Sequence, residues 1–415
     1  TFKGESMKKL LVLVFALALF VPALANAEIK WNGQFEVLGY AFDNDGFADS
    51  GTSNTLSRFT LGANFGLAEN IEGNLALTYF SMWGDNYLAG QQIDNSSDTG
   101  LLNAVRITEA NIVFKNLFDN DKISAKVGRQ SYDGGTIFKV GPRDLIWSYL
   151  LIGRMGAPYG VLAEAGMDGA VVTYDNKENL KVDAGYAKIV NENTSSSSKV
   201  NVTFVNANYK FNDMLNLQGY VYDSEMADVG PDYVRFEYLG FKPEFIYKNW
   251  TASAELVQCF GDDDGSIFST ENTKDGYRAR FDVAYKMDDF KFRGMYVMTG
   301  TEFYVSPMQN NYLGLIFTAM SRQISISGMP ANVYMDCLNF GADYTINKFD
   351  FSADYYRIGL PRNATDKMYE IDFIAKYNYT KNVAFKGAAG YFSEENSSYY
   401  NMVYFLGLDY KFGSK

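Results

Sequence analysis

The sequence predicts an all-β fold, a transmembrane antiparallel β-barrel of about 18 strands, with about 16 as the alternative count. Three observations carry this. From Glu28 to Phe412 the chain is a run of segments in which large apolar and polar residues alternate with period two, the mark of strands with two unlike faces. The connectors between segments fall into two interleaved classes, one tight and one long. Aromatic side chains gather beside the tight connectors. Composition agrees, because 31 Tyr and 32 Phe suit a pleated surface better than a helix. With only 8 Pro and 37 Gly, collagen-like and low-complexity chains are excluded.

In chain order, residues 1–6 ("TFKGES") read as sequence upstream of the true start, without a structural role. Residues 7–27 read as a signal peptide. Met7-Lys8-Lys9 is the positive region, Leu10–Phe20 the apolar core, and Ala25 and Ala27 the small-residue site that places cleavage before Glu28. The apolar core is too short to span a membrane, which takes about 20 residues. The barrel then occupies 28–412, and 413–415 form a short periplasmic tail.

The tight connectors are "AENIEG" near Glu69, "LFDND" near Asp119, "DNKEN" near Lys177, "FNDM" near Asp213, "YKN" before Trp250, "KMDD" near Asp288, "INK" near Asn347 and "TKN" near Lys381. Between them lie long polar loops, among them Asp133–Gly160 and Gly300–Asn332. Short turns at one end and long loops at the other are the pattern of barrels in the bacterial (Gram-negative) outer membrane, with the turns in the periplasm. Rings such as Tyr209, Phe245, Tyr285, Phe290, Tyr344, Phe349, Tyr377 and Phe412 would then form an aromatic girdle at one interface. The last strand, Tyr400–Phe412, turns an apolar stripe to the lipid bilayer and sends Asn401, Asp409 and Lys411 inward, beside the first strand, Ile29–Asp43.

Inside a barrel this wide, an aqueous channel is the expectation. Arg278, Arg280, Lys291 and Arg293 phase inward as a basic wall, and Asp350, Asp354, Glu370 and Asp372 as an acidic wall. Two such walls set a transverse field that tunes ion preference, or else they only solvate a wet lumen. The loop Asp133–Gly160 carries an apolar core, "LIWSYLLIG". It either folds into the mouth and narrows it, offering Lys139, Arg143, Asp144 and Arg154 to solutes, or caps neighbouring loops. Cys259 and Cys337 are too far apart in strand order to bridge.

Several classes of function are excluded. A formal net charge of −12 leaves no basic footprint for nucleic acid. With 0 His, the chain lacks the general base of barrel hydrolases and acyltransferases, so no enzyme is expected. No cofactor motif appears, and no metal-ligand spacing; "GDDDGS" lacks the spacing of an EF-hand. The expected function is a passive diffusion channel for small hydrophilic solutes or ions. A polysaccharide or oligosaccharide export or uptake channel and a surface adhesin or structural barrel are the alternatives, and the barrel is expected as a monomer or trimer.

"LLNAVRITEANIVFKN" and "ISAKVGRQSYDGG" resemble the acidic strand and the Gly-Arg-Gln strand end of alginate-export-type barrels and related substrate-selective porins. "GMDGAVVTYDN" with "LKVDAGYAKI" is similar to the next hairpin of those proteins, so the resemblance covers Leu101–Val190. It implies a porin, with Glu109, Arg129 and Gln130 near the constriction. Strict alternation from Ile123, Ala125 and Val127 turns Arg129 toward lipid, at a cost of about 2–4 kcal/mol at the midplane. A bulge at Gly128 that turns it inward, or a position above the membrane, removes that cost. The stripe Tyr404, Leu406, Leu408, Tyr410 and Phe412 resembles the recognition strand read by the barrel-assembly machinery.

Overall fold

Backbone groups of a strand facing hydrocarbon must all be paired within the protein, and closing the sheet on itself is what leaves no edge. The computed structural model describes residues 29–44, 53–83, 87–88, 91–92, 105–135, 138–140, 166–190, 199–227, 233–263, 276–300, 335–359, 367–395 and 400–413. Within these, an 18-stranded antiparallel sheet closes into a barrel. Its strands are β1 (Ile29–Asn44), β2 (Ser53–Ala68), β3 (Ile71–Trp83), β4 (Val105–Phe114), β5 (Ile123–Gln130) and β6 (Met167–Asp175). They continue as β7 (Leu180–Val190), β8 (Lys199–Lys210), β9 (Leu215–Ala227), β10 (Tyr233–Tyr247), β11 (Trp250–Asp263) and β12 (Gly276–Met287). The circuit finishes with β13 (Phe290–Thr299), β14 (Met335–Ile346), β15 (Phe349–Gly359), β16 (Lys367–Asn378), β17 (Val383–Glu394) and β18 (Tyr400–Gly413).

Each strand pairs with the next in the chain, and β18 returns to β1 with Glu36 opposite Asp409 and Leu38 opposite Gly407. All the tight connectors expected from the sequence join strand pairs at one end of the barrel. Their chemistry is local. Lys248, Asp288 and Asn347 each take a positive φ at the first residue of a two-residue turn. The Asn176 side-chain oxygen accepts from the N–H groups of Glu178, Asn179 and Leu180, as Asn212 does from Met214 and Leu215. Such Asx contacts hold a turn without help from the rest of the fold. A 3₁₀ turn, Leu117–Asp119, lies in the connector between β4 and β5.

Three irregularities break the ladder among the described residues, the first where the β2–β3 register shifts past Leu67, between Gly66 opposite Glu72 and Ala68 opposite Ile71. Ala76 pairs with Glu109 while Leu77 pairs with Ile107, so Thr108 is an extra residue that bulges from β4. Between β10 and β11 the register runs from Phe241–Leu256 to Glu244–Ser253 and skips Lys242 and Pro243. Pro243 has no N–H to give.

The outer face is apolar. Phe245, Phe281, Phe292, Phe340, Ile371, Phe373 and Leu406 stand exposed on it. Near the tight turns it becomes a girdle of ring pairs: Trp250–Tyr285 with centroids 4.6 Å apart, Phe290–Tyr344 at 4.3 Å, Phe349–Tyr377 at 4.6 Å and Tyr410–Phe412 at 5.9 Å. A water-facing sheet would not present such a belt, whereas bilayer interfaces favour it. The alternate residues point inward, and there charged side chains are buried, including Glu36, Arg58, Glu255, Arg278, Asp354, Glu370 and Asp372.

Candidate channel lining

The inner wall has three stretches of different chemistry. From β1 to β5 it is an amide ladder. Asn32 donates to Asn64 at 2.9 Å, Asn64 donates to Asn74, Asn74 donates to Asn111 at 2.8 Å, and Asn111 donates to the Arg129 carbonyl at 2.8 Å. The hydroxyls of Thr60, Thr78 and Thr108 form a second row, each pair 3.1 Å apart. Above these rows Arg58 is bound to Glu36 through Nε at 2.6 Å and Nη2 at 2.5 Å, with the Phe80 ring 5.8 Å from its guanidinium carbon. At the closure of the barrel Gln34 donates to Asp409 at 2.9 Å, and Lys386 lies 3.7 Å from the same carboxylate.

From β6 to β11 the wall is aromatic. Phe204, Tyr220, Tyr222, Phe236, Tyr238, Val257 and Cys259 are buried together with Phe138, which comes from outside the barrel sheet. Phe138 belongs to a small hairpin in which Tyr132–Asp133 pairs with Lys139–Val140. Its ring lies 5.3 Å from Tyr222 and 5.8 Å from Phe204, and Tyr132 lies 4.5 Å from Phe204. The Tyr222 hydroxyl donates to the Gly134 carbonyl at 3.0 Å and the Gln218 amide to the same carbonyl at 3.3 Å. The first part of the long loop after β5 is therefore fastened flat against the inside of β8–β10.

From β11 to β16 the wall is ionic. The basic set and the acidic set lie side by side on it, with only β14 between them. Arg293 Nη2 bonds Asp343 at 2.8 Å, Asp354 at 2.9 Å and the Ser352 hydroxyl at 2.8 Å, so one cation ties three strands. Arg280 forms a two-point pair with Asp282, both contacts at 2.8 Å. Arg278 lies 3.6 Å from Glu255, an ion pair longer than a hydrogen bond, with both side chains almost fully buried. Asp350 accepts from Thr345 at 3.1 Å and Asn378 at 2.8 Å near the tight-turn end. Glu370 and Asp372 are buried on β16, where Asp372 stands directly opposite Asp354. Lys291 is exposed, opposite Asp343 on the neighbouring strand.

The residues named from the family resemblance take separate positions. Glu109 accepts a 2.6 Å bond from Ser131, beside the Thr108 bulge. Gln130 is buried, its amide donating to the carbonyls of Lys126 at 3.2 Å and Gly169 at 3.3 Å. Arg129 keeps the outward phase of Val127, and Gly128 adopts φ 118° without reversing it. Its charge is met by Asp168 on β6 in a two-point pair of 2.7 and 2.5 Å, and it also donates to the Ile107 carbonyl at 3.2 Å. Lys139 pairs with Asp133 at 2.8 Å. Arg143, Asp144 and Arg154 lie outside the described residues, as do the signal-peptide region and most of Gly300–Asn332.

The sequence pattern does not single out Asp168, the amide ladder, the Glu36–Arg58 pair as a unit, or the aromatic dock for Phe138. The first three follow from cross-strand register, which alternation alone does not supply. Cys259 and Cys337 are both buried, and neither forms a disulfide. Among the described residues, no group of three or more His, Cys, Asp or Glu is placed to hold a metal ion.

A closed barrel of this strand number, apolar outside and charged within, has the architecture of membrane-spanning channel barrels. Solved structures share it over nearly the whole chain. Pseudomonas aeruginosa OccK9 (OpdG) is similar with a TM-score of 0.65 and 12% identity, covering 94% of this chain and 99% of that one. Acinetobacter baumannii OccAB4 has a TM-score of 0.64 at 11% identity, over 93% and 98%. The outer membrane protein OpdK of Pseudomonas aeruginosa has 0.57 at 13%, over 92% and 99%. At these identities the likeness is one of fold. No protein-family model and no curated protein matches the sequence.

Proposed function

We propose that this chain is a bacterial outer-membrane porin, a passive diffusion channel for small hydrophilic solutes or ions. The observation that carries the reading is the pairing of an apolar, ring-girdled exterior with an interior of buried Arg–carboxylate pairs. A charge set that would be costly in lipid is stable only where the barrel encloses water and partners. The Occ and Opd barrels support it through their shared fold. They lend no support to the alginate-export-type reading, and the charges of this lumen are paired one against another rather than arrayed for a polyanion.

In this reading, solutes descend between the ionic wall of β11–β16 and the docked hairpin of Tyr132–Asp133 and Lys139–Val140. The hairpin takes lumen space on the aromatic side, and Arg280, Arg293, Asp343 and Asp354 set the field on the other. The leader at 7–27 exports the chain, and the stripe Tyr404–Phe412 presents it for barrel assembly. Purified barrel added to a planar bilayer is expected to give stepwise, ohmic conductance. A protein that inserts and passes no ions sinks the proposal, and one that conducts only in the presence of a polysaccharide redirects it.

A further inference from the structure

The outer wall carries a groove of about 550 Å³ across β10–β14 that the channel reading leaves without a role. That volume falls within the roughly 300–1,000 Å³ of small-molecule sites. Its floor includes Ala252, Ala254 and Gly294, where the sheet has almost no side-chain relief, and Phe245, Phe281 and Phe340 rise around it. A side-chain carbon built on Gly294 would meet only Val283, at 3.2 Å. The three phenylalanines are exposed, so the groove opens outward into the apolar belt. Pro243 lies on the same floor, where it and Lys242 drop out of the β10–β11 pairing while the register on either side is unchanged.

We infer that this groove seats one acyl chain of a phospholipid from the periplasmic leaflet, with the phosphate meeting Lys248. This inference rests on the reading of the chain as an outer-membrane barrel. The groove is continuous with the lipid-facing belt, which makes hydrocarbon its solvent. Depth selects the leaflet. Pro243 is about 13 Å along the strand from Tyr247, at the rise of an extended chain, and Tyr247 opens the tight turn into Trp250. Lys248 sits in that turn, exposed, with its ammonium 5.2 Å from the Tyr247 ring centroid. Tyr247 and Trp250 are exposed rings at headgroup level, where amphipathic aromatics are most stable. A cation at the girdle and an apolar trough running up from it match an anionic headgroup and its tail.

Native mass spectrometry of the detergent-solubilised wild-type barrel, titrated with dioleoylphosphatidylglycerol, tests this. The first lipid adduct should form well below the concentration at which further adducts accumulate. Ala254→Trp fills the groove from a lipid-facing position and should weaken that adduct about tenfold, the equivalent of about two lost methylene contacts. Lys248→Ala should weaken it for phosphatidylglycerol and restore parity with dioleoylphosphatidylcholine. Equal first-adduct affinity in wild type and Ala254→Trp overturns the inference. So does disulfide trapping between copies at Gly294→Cys in a chain with Cys259→Ala and Cys337→Ala, because a second copy would then occupy the face. Ala254→Trp should keep wild-type conductance, so loss of lipid binding and failure of the channel reading are separate results.

Discussion

The two long stretches of inner wall hold their neighbours by opposite means. From β6 to β11 the wall binds a piece of chain by burying rings, and Phe138, Phe204 and Tyr222 exclude water from one another. From β11 to β16 the contacts among the described residues run from strand to strand, with Arg293 reaching across β14 to Asp354 on β15. Burial is non-directional and tolerates any solute of moderate shape, whereas an ion pair demands position and leaves a residual field. In the proposed channel the first wall would serve as the anchor of a constriction and the second as its filter. Glu255 on β11 joins them. It accepts a 2.9 Å bond from the Tyr220 hydroxyl on the aromatic side and faces Arg278 on the ionic side.

The largest effect should come from breaking that junction. Arg278→Met leaves the Glu255 carboxylate buried without its cation, which costs about 3–5 kcal/mol. The midpoint of guanidinium unfolding in detergent should fall accordingly, and an unmoved midpoint would separate the two walls energetically. Phe138→Ala tests the anchor. Removing a buried phenylalanine costs about 3–5 kcal/mol, here mostly from hairpin docking rather than from the barrel. Unitary conductance should rise and grow noisy while the unfolding midpoint stays near wild type. A falling midpoint with unchanged conductance would make the hairpin structural only.

Arg293→Gln tests the filter with a smaller stability cost of about 1–3 kcal/mol. Asp343 and Asp354 then lose a shared cation, and the reversal potential in a KCl gradient should move toward cation preference. Asp354→Asn should move it the other way, and identical potentials would mean that the wall is only solvated.

The smallest effect lies outside both walls. Asp213, in the turn between β8 and β9, is held below the usual carboxylate range by its bond to Lys210. A depressed carboxylate contributes stability that is present above its unfolded pKa and lost as the pH falls through the folded value. Amide protection of residues 211–214 should decline slightly at acid pH in wild type, and that acid dependence should flatten in Asp213→Asn.

Much of this fold is legible in the sequence. Asn, Asp and Lys at the tight connectors name the turns, because only residues that tolerate positive φ or bond their own backbone close a hairpin so briefly. Alternation named the outer face of the last strand, on which Tyr404, Leu406 and Tyr410 stand exposed. It left partners unread, since a period of two says which way a side chain points and nothing of what stands beside it. Arg129 shows the gap. Its outward phase was visible, but Asp168 lies on the next strand, and only the register brings the two carboxylate oxygens to the guanidinium. Arg293 shows another: the long side chain crosses a strand, so sets that read as two walls interlock as one. The dock for Phe138 was hidden for a third reason, that a loop's resting place depends on shape across the lumen rather than on its own pattern.

The pairing of β1 with β18 also governs how the molecule is made. Gln34 and Asp409, bonded side by side, are 375 positions apart in sequence. Closing so long a loop adds little entropy over a shorter one, because the cost grows only logarithmically. The obstacle is order in time. Until the final strand arrives, both edges of the sheet present unpaired amides, each costing several kcal/mol in hydrocarbon. A growing barrel is thus an open ribbon that must be sheltered from the bilayer until its last hydrogen bonds form. Once closed, the ring has no first strand, and a version cut at any loop and rejoined at the old ends would meet the same condition at a new seam.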